Sequence, residues 1–191
     1  MKRVCVFCGS KDGDSPKWRD AAFATGVALA SRRLEVVTGG ARHGLMGAVT
    51  DGALSVGGRV LGVIPHGLKR QEFEHPGLAE LFHTETMAER KAKLVALADG
   101  FLALPGGFGT MDELFEVLTE AQIGLHLKPI GLLDQDGYYA PLRAWISGAL
   151  QHGFIPGGLK DVLVAADQPQ ALVDALLRHT PPPPAVQWIK R

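Results

Sequence analysis

The sequence predicts an α/β fold: a single-domain, doubly wound and Rossmann-like parallel sheet. Three observations predict it. Short runs rich in Val, Leu, Ile and Phe recur along the chain. These runs are apolar nearly throughout rather than alternating, which marks strands buried on both faces. Between them lie segments of ten or more residues with helical period, as βαβ crossovers require. In such a sheet the ligand lies beyond the carboxyl ends of the strands.

Each element follows from its own residues. Arg3–Cys8 is the first strand, stopped by Gly9-Ser10. A helix is expected from about Pro16 to Arg33, then the strand Glu35–Thr38, stopped by Gly39-Gly40. Leu45 to Val56 is a helix of small residues, and Arg59–Ile64 a strand closed by Pro65. From His66 to His83 no period stands out, so a loop with a partial helix is expected there. Thr84 to Ala98 is a helix and Phe101–Leu104 a strand, stopped by Pro105-Gly106-Gly107. Met111 to Ile123 is a helix, Pro129–Leu133 a strand, and Tyr138 to Gln151 a helix. Val162–Ala165 and Gln170–Leu177 are the last strand and helix. The expected domain covers residues 1–180. Residues 181–191 form a Pro-rich tail, in which Trp188 is either loose or pinned to the body or to a partner subunit.

Composition narrows the chemistry. The 191 residues carry 20 Lys+Arg against 20 Asp+Glu, so no field draws the chain to nucleic acid or to an anionic membrane. No apolar stretch is long enough to span a bilayer. The opening MKRVCVFCGSKDGD lacks the apolar core of a signal peptide, and two cysteines suit a reducing compartment, so a cytoplasmic location is expected. Cys5 and Cys8 are three apart in a strand and point to opposite faces, which disfavours a redox dithiol. The seven histidines, at 43, 66, 75, 83, 126, 152 and 179, form no metal-binding spacing. Asp134–Gly137 reads as a turn after a strand rather than a calcium loop. No P-loop and no G-x-S-x-G elbow occurs, and Gly9-Ser10-Lys11-Asp12-Gly13 does not fit the dinucleotide fingerprint.

Glycine is in excess, 24 of 191 residues, and it gathers at strand ends: Gly9-Ser10, Gly39-Gly40 and Gly106-Gly107. Glycine there lets a ligand approach the backbone. The fullest instance is Pro105-Gly106-Gly107-Phe108-Gly109-Thr110-Met111-Asp112-Glu113, between a strand and a patterned helix. A helix start after such a turn offers free N–H groups to a phosphate. On the preceding helix, Met87, Leu94 and Ala98 form the buried stripe, with Arg90 and Lys91 on its flanks. Two cations beside a buried face suggest a nearby anion; the alternative is snorkelling into water. Glu113 follows the glycine turn, where the helix dipole favours its ionised form, so it is expected charged at neutral pH.

These residues resemble the LONELY GUY (LOG) family, once labelled lysine decarboxylases. Pro105 to Glu113 matches its P-G-G-x-G-T-x-x-E signature, and Met87-Ala88-Glu89-Arg90-Lys91 its M-x-x-R-K element. Gly44-Leu45-Met46-Gly47, Phe7-Cys8-Gly9-Ser10 and Gly131-Leu132-Leu133 through Gly137-Tyr138-Tyr139 are also typical. The similarity runs from about residue 3 to 165. Ala41 departs from it, standing where the family usually has a third glycine, and Arg42-His43 are bulkier than usual.

The resemblance implies a phosphoribohydrolase. It would cut the N-glycosidic bond of a nucleoside 5′-monophosphate, AMP or an N6-substituted AMP such as a cytokinin nucleotide, to free base and ribose 5-phosphate. It implies a homodimer, and no metal or redox cofactor. By the same kinship Arg90 and Glu113 are catalytic. Gly106, Gly107, Phe108, Gly109, Thr110, Met111, Asp112, Met87, Lys91, Gly9, Ser10, Gly39 and Gly40 surround the substrate, with Glu72 and Thr119 aligned by spacing. Decarboxylation is disfavoured, because it calls for a Schiff-base lysine and Lys91 is already placed as an anion contact. The competing reading is a non-enzymatic carrier of a nucleotide or of molybdenum cofactor. An NAD(P)-binding or DNA-binding role fits less well.

Overall fold

The computed structural model describes residues 1–68 and 74–186. Seven parallel strands form one sheet: β1 (Arg3–Phe7), β2 (Glu35–Thr38), β3 (Val60–Pro65), β4 (Glu80–Thr84), β5 (Gly100–Ala103), β6 (Ile130–Leu133) and β7 (Leu163–Ala166). Among the described residues, five helices lie between strands, α1 (Pro16–Ser31), α2 (Gly44–Ser55), α3 (Met87–Leu97), α4 (Phe108–Gln122) and α5 (Ala140–Gln151), and α6 (Pro169–Arg178) follows β7. The strand order is β4-β3-β2-β1-β5-β6-β7. The chain steps outward from β1 to β4, then returns through α3 to lay β5 on the other side of β1. The order therefore reverses between β1 and β5, and the loops above these two strands form the crevice where ligands bind in such sheets.

Alternation along β1 divides the core into two layers. Val4 and Val6 pack with α1, α2 and α6 residues such as Ala22, Leu29, Val49 and Leu172. Cys5 and Phe7 pack with Leu94, Leu114 and Val117 of α3 and α4. Cys5 and Cys8 accordingly lie in different layers, both buried and free. Burial drives both thiols well above their ordinary range, so neither is a nucleophile at neutral pH. Glycines let α1 and α2 cross at backbone contact: a Cβ at Gly26 would overlap the Val49 carbonyl, and one at Gly52 the Phe23 carbonyl.

The structure corrects the sequence reading at three elements. The stretch after Pro65 holds a strand, β4, registered on β3 from Leu61↔Glu80 to Pro65↔Thr84. It is an edge strand with no buried residue, so its sequence, ELFHT, lacks the continuous apolar run that reveals the central strands. Thr84 ends β4 and does not begin a helix. α3 starts at Met87, capped by Thr86, whose side chain accepts from the Glu89 N–H at 3.1 Å. The Glu89 carboxylate in turn accepts from the Glu85 N–H at 2.9 Å. The T-x-x-E spacing that marks this start is present at 86–89. α4 starts three residues before Met111, because Gly107 provides the extended N-cap.

The backbone at 185 and 186 donates to the Gln122 carbonyl, which returns the chain against the end of α4. The expected role of Trp188 lies outside the described residues. No helix among the described residues is long and apolar enough to cross a membrane.

Candidate active site

The crevice between β1 and β5 is stitched by backbone bonds. The Gly9 N–H donates to the Pro105 carbonyl at 3.0 Å, and the Leu45 N–H to the Gly9 carbonyl at 3.0 Å. Three chain segments thereby meet over the sheet: the β1 loop, the β5 loop and the start of α2. Gly44 begins α2 with φ +63°, and a Cβ there would overlap the Ser10 backbone. Beside these loops lies a cleft of about 790 Å³, lined by Ser10, Lys11, Trp18, Gly106, Phe108 and Tyr138 among others.

The glycines of the β5 loop do different jobs. A Cβ on Gly106 would overlap the Thr110 hydroxyl and lie 2.9 Å from the Gly9 nitrogen, so packing demands glycine there. Gly107 and Gly109 face open space. The first four N–H groups of any α-helix lack an intrahelical acceptor, and here they lie beside those open positions. Phe108 is 97% exposed at the mouth, whereas Thr110 is 3% exposed and supports the loop from below.

Between α3 and α4 sits an ion pair. Arg90 Nη1 meets Glu113 Oε1 at 2.9 Å, and each side chain is 11% exposed. Arg90 Nε also donates to the Val63 carbonyl at 3.1 Å, fixing the guanidinium against β3. Gly39 makes room for it: a Cβ there would overlap Arg90 Nη2 and lie 2.8 Å from the Met46 sulfur. Gly40 has φ +78°, and its N–H donates to the Thr38 hydroxyl at 3.1 Å. The pair at 39–40 thus seats Arg90 and turns the chain.

The electrostatics of Glu113 differ from the sequence expectation. It occupies the sixth position of α4, past the first turn where the dipole acts. Burial raises its pKa above the ordinary glutamate range, and Arg90 opposes that rise. What holds a charge on Glu113 is therefore a partner from another helix. Lys91 does not stand free for a ligand. It bridges Asp112 at 3.1 Å and Glu116 at 3.3 Å, and the Asp112 contact leads in raising its pKa. An amine held as ammonium is a poor Schiff-base former, a second reason to set decarboxylation aside.

The other expected residues are spread out. Met87 is 47% exposed on the first turn of α3 and does not join a buried stripe; Leu94 is the residue of that helix that is buried. Thr119 is exposed on α4, nine residues beyond Thr110 and so about 14 Å along the axis. Glu72 lies outside the described residues. Ala41 pairs with Glu74 in an isolated antiparallel bridge without positive φ, so the missing glycine strains nothing. The sequence reading missed Tyr138 and Tyr139. Their hydroxyls donate to the Gly106 and Leu104 carbonyls, each at 2.6 Å. Buried Asp134 holds them in place by accepting from the Tyr139 N–H at 2.7 Å and from Arg143 at 2.9 Å. Their tandem occurrence directly after a turn was the available signal.

Residues 46–176 match the family model described as "Possible lysine decarboxylase". The chain is 43% identical over 181 residues to the cytokinin riboside 5′-monophosphate phosphoribohydrolase LOG7 of Arabidopsis thaliana, covering 95% of this chain and 83% of that one. It is 41% identical to LOG1 of the same plant, with 95% and 85% covered. Among solved structures it is similar to the molybdenum cofactor binding protein of Rippkaea orientalis, with TM-score 0.71, 21% identity, and 93% and 96% of the two chains covered. The molybdenum cofactor carrier protein of Chlamydomonas reinhardtii gives TM-score 0.71 at 19% identity, with 94% and 99% covered. At these identities the structural likeness is one of fold.

Proposed function

We propose that this chain, which belongs to the LONELY GUY (LOG) family, is a phosphoribohydrolase that cleaves the N-glycosidic bond of cytokinin nucleoside 5′-monophosphates. The products are the free base and ribose 5-phosphate. The observation that carries the reading is the buried Arg90–Glu113 pair, whose carboxylate is the sixth residue of the helix that begins at the open glycine turn. A carrier that only binds needs the anion site but has no use for a sequestered carboxylate.

In this reading the 5′-phosphate rests on the N–H groups of Gly107 to Thr110, with the Thr110 hydroxyl behind them. The bond to the base ionises, and the sugar takes on oxocarbenium character, as in glycoside hydrolysis. Glu113 stabilises that positive charge and orients or deprotonates the attacking water. Burial raises its pKa above the ordinary glutamate range, which makes it a better proton acceptor than an exposed carboxylate. Arg90 keeps the carboxylate ionised, and by trading its hydrogen bond it clamps the nucleotide or assists departure of the base. Lys91 reaches an anion by exchanging one of its two carboxylates. Gly9, Ser10 and the 39–40 turn shape the floor of the site, and Met87, Met111 and Asp112 its rim.

A homodimer belongs to the same proposal. Helix α5 has no buried residue, and Trp145 on it is 56% exposed, edge-on to Phe115 of α4 at 5.6 Å. With Phe154, 83% exposed, these aromatics form a face fit for a second copy. A cytoplasmic location accords with two buried, unoxidised thiols.

Incubation with AMP and with N6-isopentenyl-AMP, followed by chromatography for the free base, tests the function. Release of base and ribose 5-phosphate is expected. A folded sample that leaves both nucleotides intact refutes it.

A further inference from the structure

We infer that Tyr138 is a positioning residue that aims the first donor of the phosphate cradle, and that its neighbour Tyr139 is not. The inference rests on the reading of the glycine turn as the phosphate site, and it names a positioning residue for it.

The two tyrosines make matching contacts but differ in burial, Tyr138 being 41% exposed and Tyr139 2%. They are adjacent, their rings meet edge-on at 5.0 Å, and each hydroxyl donates to a carbonyl of the β5 loop at 2.6 Å. The peptides they grip are chemically different. A trans peptide is one rigid plane, with its C=O and N–H pointing in opposite directions. Tyr139 holds the Leu104 carbonyl, whose plane continues into Pro105 and contains no N–H. That bond can anchor the chain but can aim no donor. Tyr138 holds the Gly106 carbonyl, whose plane contains the N–H of Gly107, the N-cap residue of α4. Fixing that oxygen towards Tyr138 fixes the Gly107 N–H in the opposite direction.

The Gly106–Gly107 peptide is the one that most needs such a restraint. Two successive glycines let a peptide plane rotate with little steric opposition. Gly107 meets nothing within 4 Å where a side chain would project, so packing does not restrain that end. Rotation would replace a donor in the cradle by a carbonyl oxygen, which repels phosphate. The Tyr138 hydroxyl opposes this rotation. The ring is itself held, edge-on to Trp18 at 5.7 Å, and the Trp18 indole N–H donates to Asp14 at 2.8 Å. An α1 residue, a β1-loop carboxylate and Tyr138, two residues before α5, thus converge on one peptide plane.

The test compares Tyr138→Phe with Tyr139→Phe in the full chain. Binding of ribose 5-phosphate and of inorganic phosphate is measured by titration calorimetry, KM and kcat for N6-isopentenyl-AMP by base release, and stability by urea unfolding. Tyr138→Phe is expected to weaken ribose 5-phosphate about tenfold, the scale of one net hydrogen bond. KM should rise in parallel, with kcat nearly unchanged and the urea midpoint close to wild type. Tyr139→Phe should show the reverse: a lower urea midpoint, because a buried carbonyl loses its partner, with phosphate affinity retained. Equal phosphate affinity in wild type and Tyr138→Phe overturns the inference. So does a loss of the same size in Tyr139→Phe, or an absence of phosphate binding in the wild type. If no nucleotide is cleaved but phosphate binding still depends on Tyr138 alone, the inference stands and the proposed reaction falls.

Discussion

Glu113→Gln separates the chemistry of the site from its architecture. Glutamine keeps the size of the side chain, so no cavity forms, and its carbonyl oxygen can still accept the Arg90 hydrogen bond that spans 2.9 Å. What disappears is the negative charge. A sugar carrying about half a unit of positive charge some 3.5 Å from the carboxylate, at an effective dielectric of about 20, gains about 2.4 kcal/mol from it. That alone is a factor of about 60 in rate, and loss of water orientation adds to it, so turnover should fall ~10²–10³-fold. KM should change little, because the phosphate cradle is untouched. The assay is release of free base under saturating nucleotide, with the urea midpoint measured in parallel. A second readout follows from the carboxyl's raised pKa. The folded chain holds the Glu113 proton more tightly than the unfolded chain. Wild-type stability relative to Glu113→Gln should therefore fall as pH rises from the ordinary value of 4.5 through the raised one. A Glu113→Gln protein with near-normal turnover would refute the assigned role. A stability difference that grows with pH would refute the electrostatic account.

Three further outcomes are expected. Arg90→Ala should cost more stability than Glu113→Gln, about 3–5 kcal/mol, because it leaves a buried carboxylate unpaired; the apolar double variant Arg90→Met/Glu113→Leu should recover much of that in urea unfolding while staying inactive. Gly39→Ala should fold, since its new methyl meets the movable end of Arg90 and the Met46 thioether, but displacing the guanidinium by about 1 Å should lower kcat/KM ~10²-fold. His126 is buried between Phe101, Lys128 and Glu120, and burial lowers its pKa from 6.5 to about 4. The unfolded chain then binds the extra proton, so stability should drop as pH falls from 6.5 towards 4, and His126→Leu should flatten that limb of the urea-midpoint profile.

The fold class was legible in the chain because its signals are local. Near-continuous apolar runs announced the buried strands β1, β2, β3, β5 and β6, and helix-period segments announced the crossovers. β4 escaped because an edge strand buries too little to need an apolar run. The start of α3 was written in Thr86 and Glu89, a capping signal that the expectation of a helix from Thr84 overlooked. The glycine turn and its helix were likewise contiguous, so a helix start beside an open glycine turn could be read directly.

Charge and partnership were settled only in three dimensions. Arg90 and Glu113 are 23 residues apart on different helices, and nothing local states that they touch or that both are buried. Helix position alone pointed to a depressed Glu113 pKa; desolvation by the packed layer around it reversed the direction. Gly39 resembled a ligand contact, and tertiary packing made it the seat of a guanidinium. Lys91 resembled a free cation until Asp112 and Glu116 were folded against it. Residue pattern reports which surfaces must be buried, because burial acts on each segment separately. Electrostatics and hydrogen bonding depend on what lies within a few ångströms, and for this site those neighbours come from β2, β3, α3, α4 and the turn before α5.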